Sequence, residues 1–395
     1  MKTYNVGIVG FGFIGKVHAY GYHNLPFFYD PVPLQAQITH VCTSREETAE
    51  KGAALVGAEH AVTDHREITE NPDIDIVHIC TPNHLHKDAL LSAIGQNKHI
   101  YCDKPLVNTV AEAEEIKAAL AGYTATAQMT FQNRFFPATI RAKQLIDEGF
   151  VGDVLEYRAC YLHSGSADPN APLKWKLSGE AGGGVIADLA SHVMDLMHHL
   201  IGDYESISAA TRVAYVERPS LGDPATKVKV YAEDCVMMLA RMKSGALGTI
   251  EATKTATGTE DEFRFEIHGS KGALRFNGTN PHQLEVYDAA ASDAPVGGTR
   301  GWTMVDTGQR YPAPAAKFPG PKFSIGWMRS HLACLASFLE AVAAGRSADP
   351  GLDQGIYIQR LIGAARTSAA RDGENIGVPR TIPKLIRRFL PDLTG

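Results

Sequence analysis

Val6-Gly7-Ile8-Val9-Gly10-Phe11-Gly12-Phe13-Ile14-Gly15-Lys16-Val17 runs from an apolar strand, through three spaced glycines, into a helical pattern. The spacing is G-x-G-x-x-G, and each glycine has a separate task. Gly10 permits the tight turn, Gly12 lets backbone amides approach a pyrophosphate, and Gly15 lets helix and strand pack closely. Phe13 and Ile14 stand between the last two glycines, directly before the helix, whose unpaired N–H groups and dipole favour an anion. A glycine-rich turn that binds nothing would share this composition. The position between a first strand and a first helix selects the dinucleotide-binding reading.

Outward from this loop, apolar runs alternate with helical patterns. Strands are predicted over Val6–Val9, Ile38–Cys42, Ile74–Thr81, His99–Cys102 and Thr124–Met129. Helices are predicted over Lys16–Tyr22, Glu46–Val56, Leu85–Gln96 and Val110–Ala121. Thr109, three residues before Glu112, forms a capping box for the last of these. Such alternation implies βαβ units and a parallel sheet, and the almost continuously apolar strands suit a sheet covered on both faces. Asn24–Gln37 holds Pro26, Pro31 and Pro33 and reads as an inserted loop.

Beyond about Pro137 the rhythm changes. After a helix over Ala138–Glu148, period-two alternation takes over, as in Phe263, Phe265 and Ile267, and marks half-buried antiparallel strands. A helix over Val185–Leu200 interrupts them. Pro295–Gly301 and Tyr311–Pro321 read as loops, and a helical pair, Met328–Ala344 and Gly355–Arg371, closes the second domain. The expected fold is α/β. A Rossmann-type doubly wound parallel sheet occupies residues 1–135. An α+β domain with a large, mainly antiparallel open sheet occupies residues 136–395 and serves substrate binding and oligomerisation.

The totals agree. A chain of 395 residues with 44% hydrophobic and 21% charged residues can bury a large core without staples. The net charge of −6 excludes the broad positive field of a non-specific nucleic-acid binder. Six scattered cysteines without a C-x-x-C pair fit a reducing compartment. No signal-peptide pattern and no apolar run of membrane-spanning length is read, so the expectation is a cytoplasmic protein without a membrane partner.

Ligands of a doubly wound sheet gather beyond the carboxyl ends of its strands. The second strand ends Thr43-Ser44-Arg45 and lacks the carboxylate that normally takes the adenosine ribose of NAD. Ser44 and Arg45 suit a 2′-phosphate, which favours NADP, with NAD the alternative. Two further strand ends carry Thr81, Asn83 and His86, then Asp103 and Lys104; these are the remaining candidates for cofactor contact. In the second domain, Asp188, His192, Asp195 and His199 stand at i, i+4, i+7 and i+11 on the predicted helix and so share a face. That stripe reads as a solvated face, a metal site or an acid–base group. Metal is disfavoured by the lack of a second ligand cluster.

The combination G-x-G-x-x-G, T-P-N-x-x-H, D-K-P and G-G-G-x-x-x-D-x-x-x-H-x-x-D resembles the Gfo/Idh/MocA oxidoreductases along the whole chain. The resemblance implies a nicotinamide-dependent oxidoreductase acting on a secondary hydroxyl or keto group of a sugar, anhydrosugar, glycoside or inositol. It implies His192 as the base and Lys104 as the residue that hydrogen-bonds the hydroxyl and tunes that base. Asp188 and Asp195 would bind substrate hydroxyls or orient the histidine. Gln132-Asn133-Arg134 matches a substrate-contacting segment, with Asn133 in place of the usual tyrosine. Tyr161, His163, Trp175 and Lys176 are further pocket candidates, with Trp175 either stacking a sugar ring or serving as core. Asp103 replaces the usual glutamate. A redox-assisted glycosidase and a non-catalytic nucleotide regulator are the alternatives. Family members cover their open sheet in dimers or tetramers, so a homodimer or homotetramer is expected.

Overall fold

The structure, a computed structural model, describes residues 2–308 and 326–378. The loop expected over Tyr311–Pro321 lies outside the described residues. The first sheet is built from β1 (Tyr4–Val9), β2 (Ala36–Cys42), β3 (His60–Val62), β4 (Ile76–Ile79), β5 (His99–Cys102) and β6 (Ala127–Met129). Its order is β3-β2-β1-β4-β5-β6 with every pairing parallel, the doubly wound arrangement. Helices α1 (Phe13–Phe28), α2 (Glu46–Val56), α3 (Arg66–Thr69), α4 (His86–Gly95) and α5 (Val110–Ala119) connect the strands. Val6, Ile8, Ile76, Val77 and Ile100 are fully buried, because helices cover both faces. The capping box forms as expected, with Glu112 N–H donating to the Thr109 hydroxyl at 3.2 Å.

The proline-rich segment departs from expectation. Helix α1 continues through Pro26 to Phe28, and only residues 29–35 form the loop. Pro26 removes one helical N–H close to the helix end, where little ladder remains to lose. Burial of Leu25 and Tyr29 holds the last turn in place.

Among the described residues the second sheet has nine strands. They are β7 (Val154–Leu162), β8 (Tyr204–Arg212), β11 (Cys235–Met242), β12 (Leu247–Thr253), β13 (Glu262–Gly269), β14 (Gly272–Asn277), β15 (Gln283–Asp288), β16 (Trp302–Asp306) and β17 (Ile376–Gly377). A separate hairpin pairs β9 (Glu217–Pro219) with β10 (Lys227–Lys229). The order β16-β15-β14-β13-β7-β12-β11-β8-β17 is antiparallel except where β7 meets β12. One face is packed by α6 (Pro137–Asp147), α7 (Ser191–Ile201) and α9 (Leu352–Ala370). On the other face Met237 and Leu239 remain exposed, alternating with buried Val236, Met238 and Ala240.

Two further differences matter for the site. The helix expected from Val185 opens as a wide π turn over Ile186–Ala190 before α7. The C-terminal pair also does not stay with the second sheet. In α8 (Trp327–Ala343), Leu332, Leu335 and Phe338 share a core cluster with Val6, Ile8 and Tyr101 of the first sheet. Helix α9 packs against both α5 and β8.

Candidate active site

A cleft of about 1130 Å³ lies between the two sheets, lined by the glycine loop, the strand ends of the first sheet and the start of the π turn. The loop geometry follows from the glycines. Gly10 has φ +92°, and a Cβ there would stand 2.6 Å from the Cys80 carbonyl carbon. A Cβ on Gly15 would stand 2.3 Å from the Gly10 carbonyl oxygen. Gly12, by contrast, opens on free space, so its backbone is left approachable along the cleft. The N-terminal turn of α1, beginning at Phe13 and Ile14, faces the same cleft. This cradle fits a dinucleotide pyrophosphate.

At the far end Thr43, Ser44, Thr48 and His65 line the wall. Arg45 caps α2 with extended backbone and does not itself line the cleft. No carboxylate stands at the end of β2, and the first acidic side chains there are Glu46 and Glu47 in the first turn of α2.

Thr81, Asn83, Asp103 and Lys104 all line the cleft. Asn83 also donates to the Gly182 carbonyl at 2.6 Å, tying the strand end to the second domain. His86 does not reach the cleft. It is fully buried, with Nε2 2.8 Å from the Thr81 carbonyl and Nδ1 3.1 Å from that of Pro105, so it braces two loops against each other.

Asp188 is the electrostatic centre. Lys104 Nζ donates to its Oδ1 at 3.0 Å and to its backbone carbonyl at 2.6 Å. Lys176 Nζ approaches Oδ1 at 3.1 Å, and Lys254 Nζ approaches Oδ2 at 3.0 Å. Burial alone would raise the Asp188 pKa, but the three ammonium groups offset it and hold the carboxyl well below the usual range. One helical turn later, His192 lines the same cleft. Burial first, and the Lys104 charge next, keep its imidazole neutral, well below the ordinary histidine value. Burial pushes Asp103 upward, opposed by Lys104.

Tyr161 and His163, from β7, form the opposite wall, their rings 5.0 Å apart. His163 Nε2 pairs with Asp261 at 2.9 Å. Trp175 is partly exposed at the cleft rim rather than in the core, with Lys176 Nζ 5.9 Å from its ring centre.

The stripe read along the helix does not act as one unit. Asp188 and His192 face the cleft, but Asp195 lies about 10 Å further along the axis from Asp188. There Asp195 takes a two-pronged bond from Arg134, at 2.7 and 2.5 Å, and a third from Gln354 at 2.7 Å. His199 meets the same guanidinium at 3.2 Å. Arg134 and Asp195 therefore neutralise each other outside the cleft, and Asn133 is buried beside them. From this segment it is Gln132 that lines the cleft. Lys254, Asp261, Trp327 and His331 are cleft residues without a motif to announce them; each arrives on an element remote in sequence. Among the described residues, His18, His78 and Cys80 form the one cluster with metal-ligand spacing, and His18 Nδ1 stands 3.1 Å from both His78 Nδ1 and Cys80 Sγ in the core.

Comparison with known proteins places this geometry. Residues 4–131 match an oxidoreductase family model with NAD-binding Rossmann fold, and residues 139–275 match the GFO/IDH/MocA C-terminal domain. Levoglucosan dehydrogenase of Pseudarthrobacter phenanthrenivorans is 34% identical over 384 residues, 94% of this chain and 97% of that protein. Inositol 2-dehydrogenase of Rhizobium meliloti is 27% identical over 371 residues, 93% of this chain and 97% of its own. The solved structure of levoglucosan dehydrogenase in complex with NADH and levoglucosan superposes with a TM-score of 0.91 at 33% identity, covering 96% of this chain and 100% of that one.

Proposed function

The chain belongs to the Gfo/Idh/MocA oxidoreductase family, and on that premise we propose that it interconverts a secondary hydroxyl and the matching ketone on a sugar, anhydrosugar, glycoside or inositol. The observation that carries this reading is a lysine and a neutral histidine, Lys104 after β5 and His192 on α7, converging on one cleft. When bound, the nicotinamide ring supplies the hydride acceptor. Lys104, steadied by Asp188, donates to the reacting oxygen and stabilises the charge that develops there. His192 takes the hydroxyl proton on an imidazole nitrogen as the carbinol carbon loses hydride and the carbonyl forms. The reverse path returns the same proton. Trp175 offers a ring face at the rim for a sugar.

The nucleotide in this reading is NADP, supported by the missing carboxylate after β2 and by Ser44 in the wall with Arg45 beside it. The open sheet face around Met237 and Leu239 is read as the contact of a homodimer or homotetramer. Six free cysteines suit the cytoplasm, and no helix among the described residues is long and apolar enough to cross a membrane.

The test is near-ultraviolet absorbance with a panel of sugars and inositols, each offered with NAD and with NADP. Turnover of a polyol is expected, faster with NADP. Lys104→Ala and His192→Ala should each lower kcat by about 10²- to 10⁴-fold while nucleotide affinity is kept. Variants that stay within a few-fold of the parent would sink the mechanism.

A further inference from the structure

The charges of this protein are unevenly placed. The chain as a whole carries −6. Yet the substrate end of the cleft gathers Lys104, Lys176 and Lys254 around a single carboxylate, Asp188. Lys104 and Lys254 have side chains only 12% and 7% exposed, so little water is available to screen them. Arg218 adds a fourth cation. Its side chain lines the cleft and is fully buried, and its NH groups are held by backbone carbonyls, those of Ser166 at 2.6 Å and Asp168 at 2.7 Å. It makes no ion pair among the described residues.

Of the cleft's acids, Asp88, Asp103, Asp188 and Asp261, only Asp188 forms ion pairs with these lysines among the described residues. Asp188 matches one lysine. Asp103 lines the cleft beside Lys104 but forms no ion pair with the lysines among the described residues. Asp261 keeps its charge beside His163, which it meets at 2.9 Å, and pairs with none of the three lysines among the described residues. The hydride reaction begins with an oxidised nicotinamide, itself a cation, brought against this surplus. A buried excess of one sign is unfavourable unless an ion of the other sign joins it. A neutral sugar brings no such ion.

We propose that the substrate is an anionic polyol, a sugar carrying a carboxylate or a phosphate, with Lys176 and Lys254 receiving its charged group. The inference rests on the oxidoreductase reading and narrows its substrate class. Lys176 is suited to capture, because it is half exposed at the rim beside Trp175, while Lys254 is fixed deeper on the end of β12. The two ammonium groups already hold the two oxygens of Asp188 at 3.1 and 3.0 Å, which shows that their spacing suits a bidentate anion. Lys104 stays with Asp188 for the reacting oxygen, so recognition of charge and chemistry fall to different lysines.

The experiment compares matched substrates on the intact enzyme with saturating nucleotide. Each neutral sugar is paired with its uronate or aldonate and with its phosphate ester. The expected result is a kcat/KM at least about tenfold higher for an anionic member than for its neutral partner, as one charge-assisted contact allows. Whether carboxylate or phosphate wins identifies the group. That advantage should shrink with added salt, whereas the neutral rate stays level. Lys176→Gln should pull the anion-to-neutral ratio toward one, because the acid loses more than the neutral sugar does. Equal or better turnover of neutral sugars, with a ratio that Lys176→Gln leaves unmoved, overturns the inference and leaves the oxidoreductase reading standing. No turnover of any polyol, charged or neutral, by a nucleotide-binding enzyme overturns both.

Discussion

At the residue scale, the site depends on two groups whose protonation is set by their neighbours. His192 is neutral because it is buried and because ammonium groups surround it, Lys104 first and Lys176 further off. A lowered pKa means that the base form persists below pH 6.5, so the acid limb of kcat/KM should fall on the acid side of the ordinary histidine value. Removing a nearby cation reverses part of this. Lys176→Met should move the acid limb upward toward 6.5 in a pH–rate profile; a limb that stays in place, or moves down, would contradict the electrostatic assignment. Lys104, Asp188 and His192 were singled out by their motifs together with the family resemblance that those motifs carry. Lys254 and Arg218 were not, because nothing in their local sequence records that β12 and β9 end at the cleft.

At the element scale, the segment from Val185 shows how a correct helix can mislead. The i, i+4, i+7 pattern does describe one side of the helix, but a face is as long as the helix and the cleft is not. The π turn at Ile186–Ala190 sets Asp188 and His192 at the cleft, and the next turns carry Asp195 into the core. There the Arg134–Asp195 pair, 5% and 1% exposed, joins the segment after β6 to α7 and, through Gln354, to α9. Arg134→Met would leave a buried carboxylate without its partner, and urea unfolding should report a loss of about 3–5 kcal/mol. Because Arg134 does not line the cleft, KM of the folded fraction should stay within a few-fold of the parent. A selective rise in KM without loss of stability would instead return Arg134 to the substrate site. The extension of α1 through Pro26 has the same origin: burial of Leu25 and Tyr29 outweighs a local helix breaker.

At the scale of the whole molecule, the nine-stranded sheet keeps one face packed and leaves the other with Met237 and Leu239 at 59% and 65% exposure. Covering that face with a second copy would remove the apolar patch from water. Leu239→Lys should therefore lower the mass measured by light scattering at micromolar concentration from an oligomer to a monomer; a parent protein that is already monomeric would refute the contact. The doubly wound sheet, the mainly antiparallel second sheet and the nucleotide loop could all be read from the chain, since periodicity, glycine spacing and capping are local properties recorded in neighbouring residues. The return of α8 to the first sheet could not, because its apolar stripe fits any apolar surface and only the assembled core selects one. The amino-acid sequence by itself determined which elements form and which residue types are offered for chemistry. Only the tertiary structure decided which of them meet: three lysines on Asp188, Arg134 withdrawn onto Asp195, and His86 spent on bracing loops. The physical reason is that charge pairing and burial act through space, between residues that chain order leaves far apart.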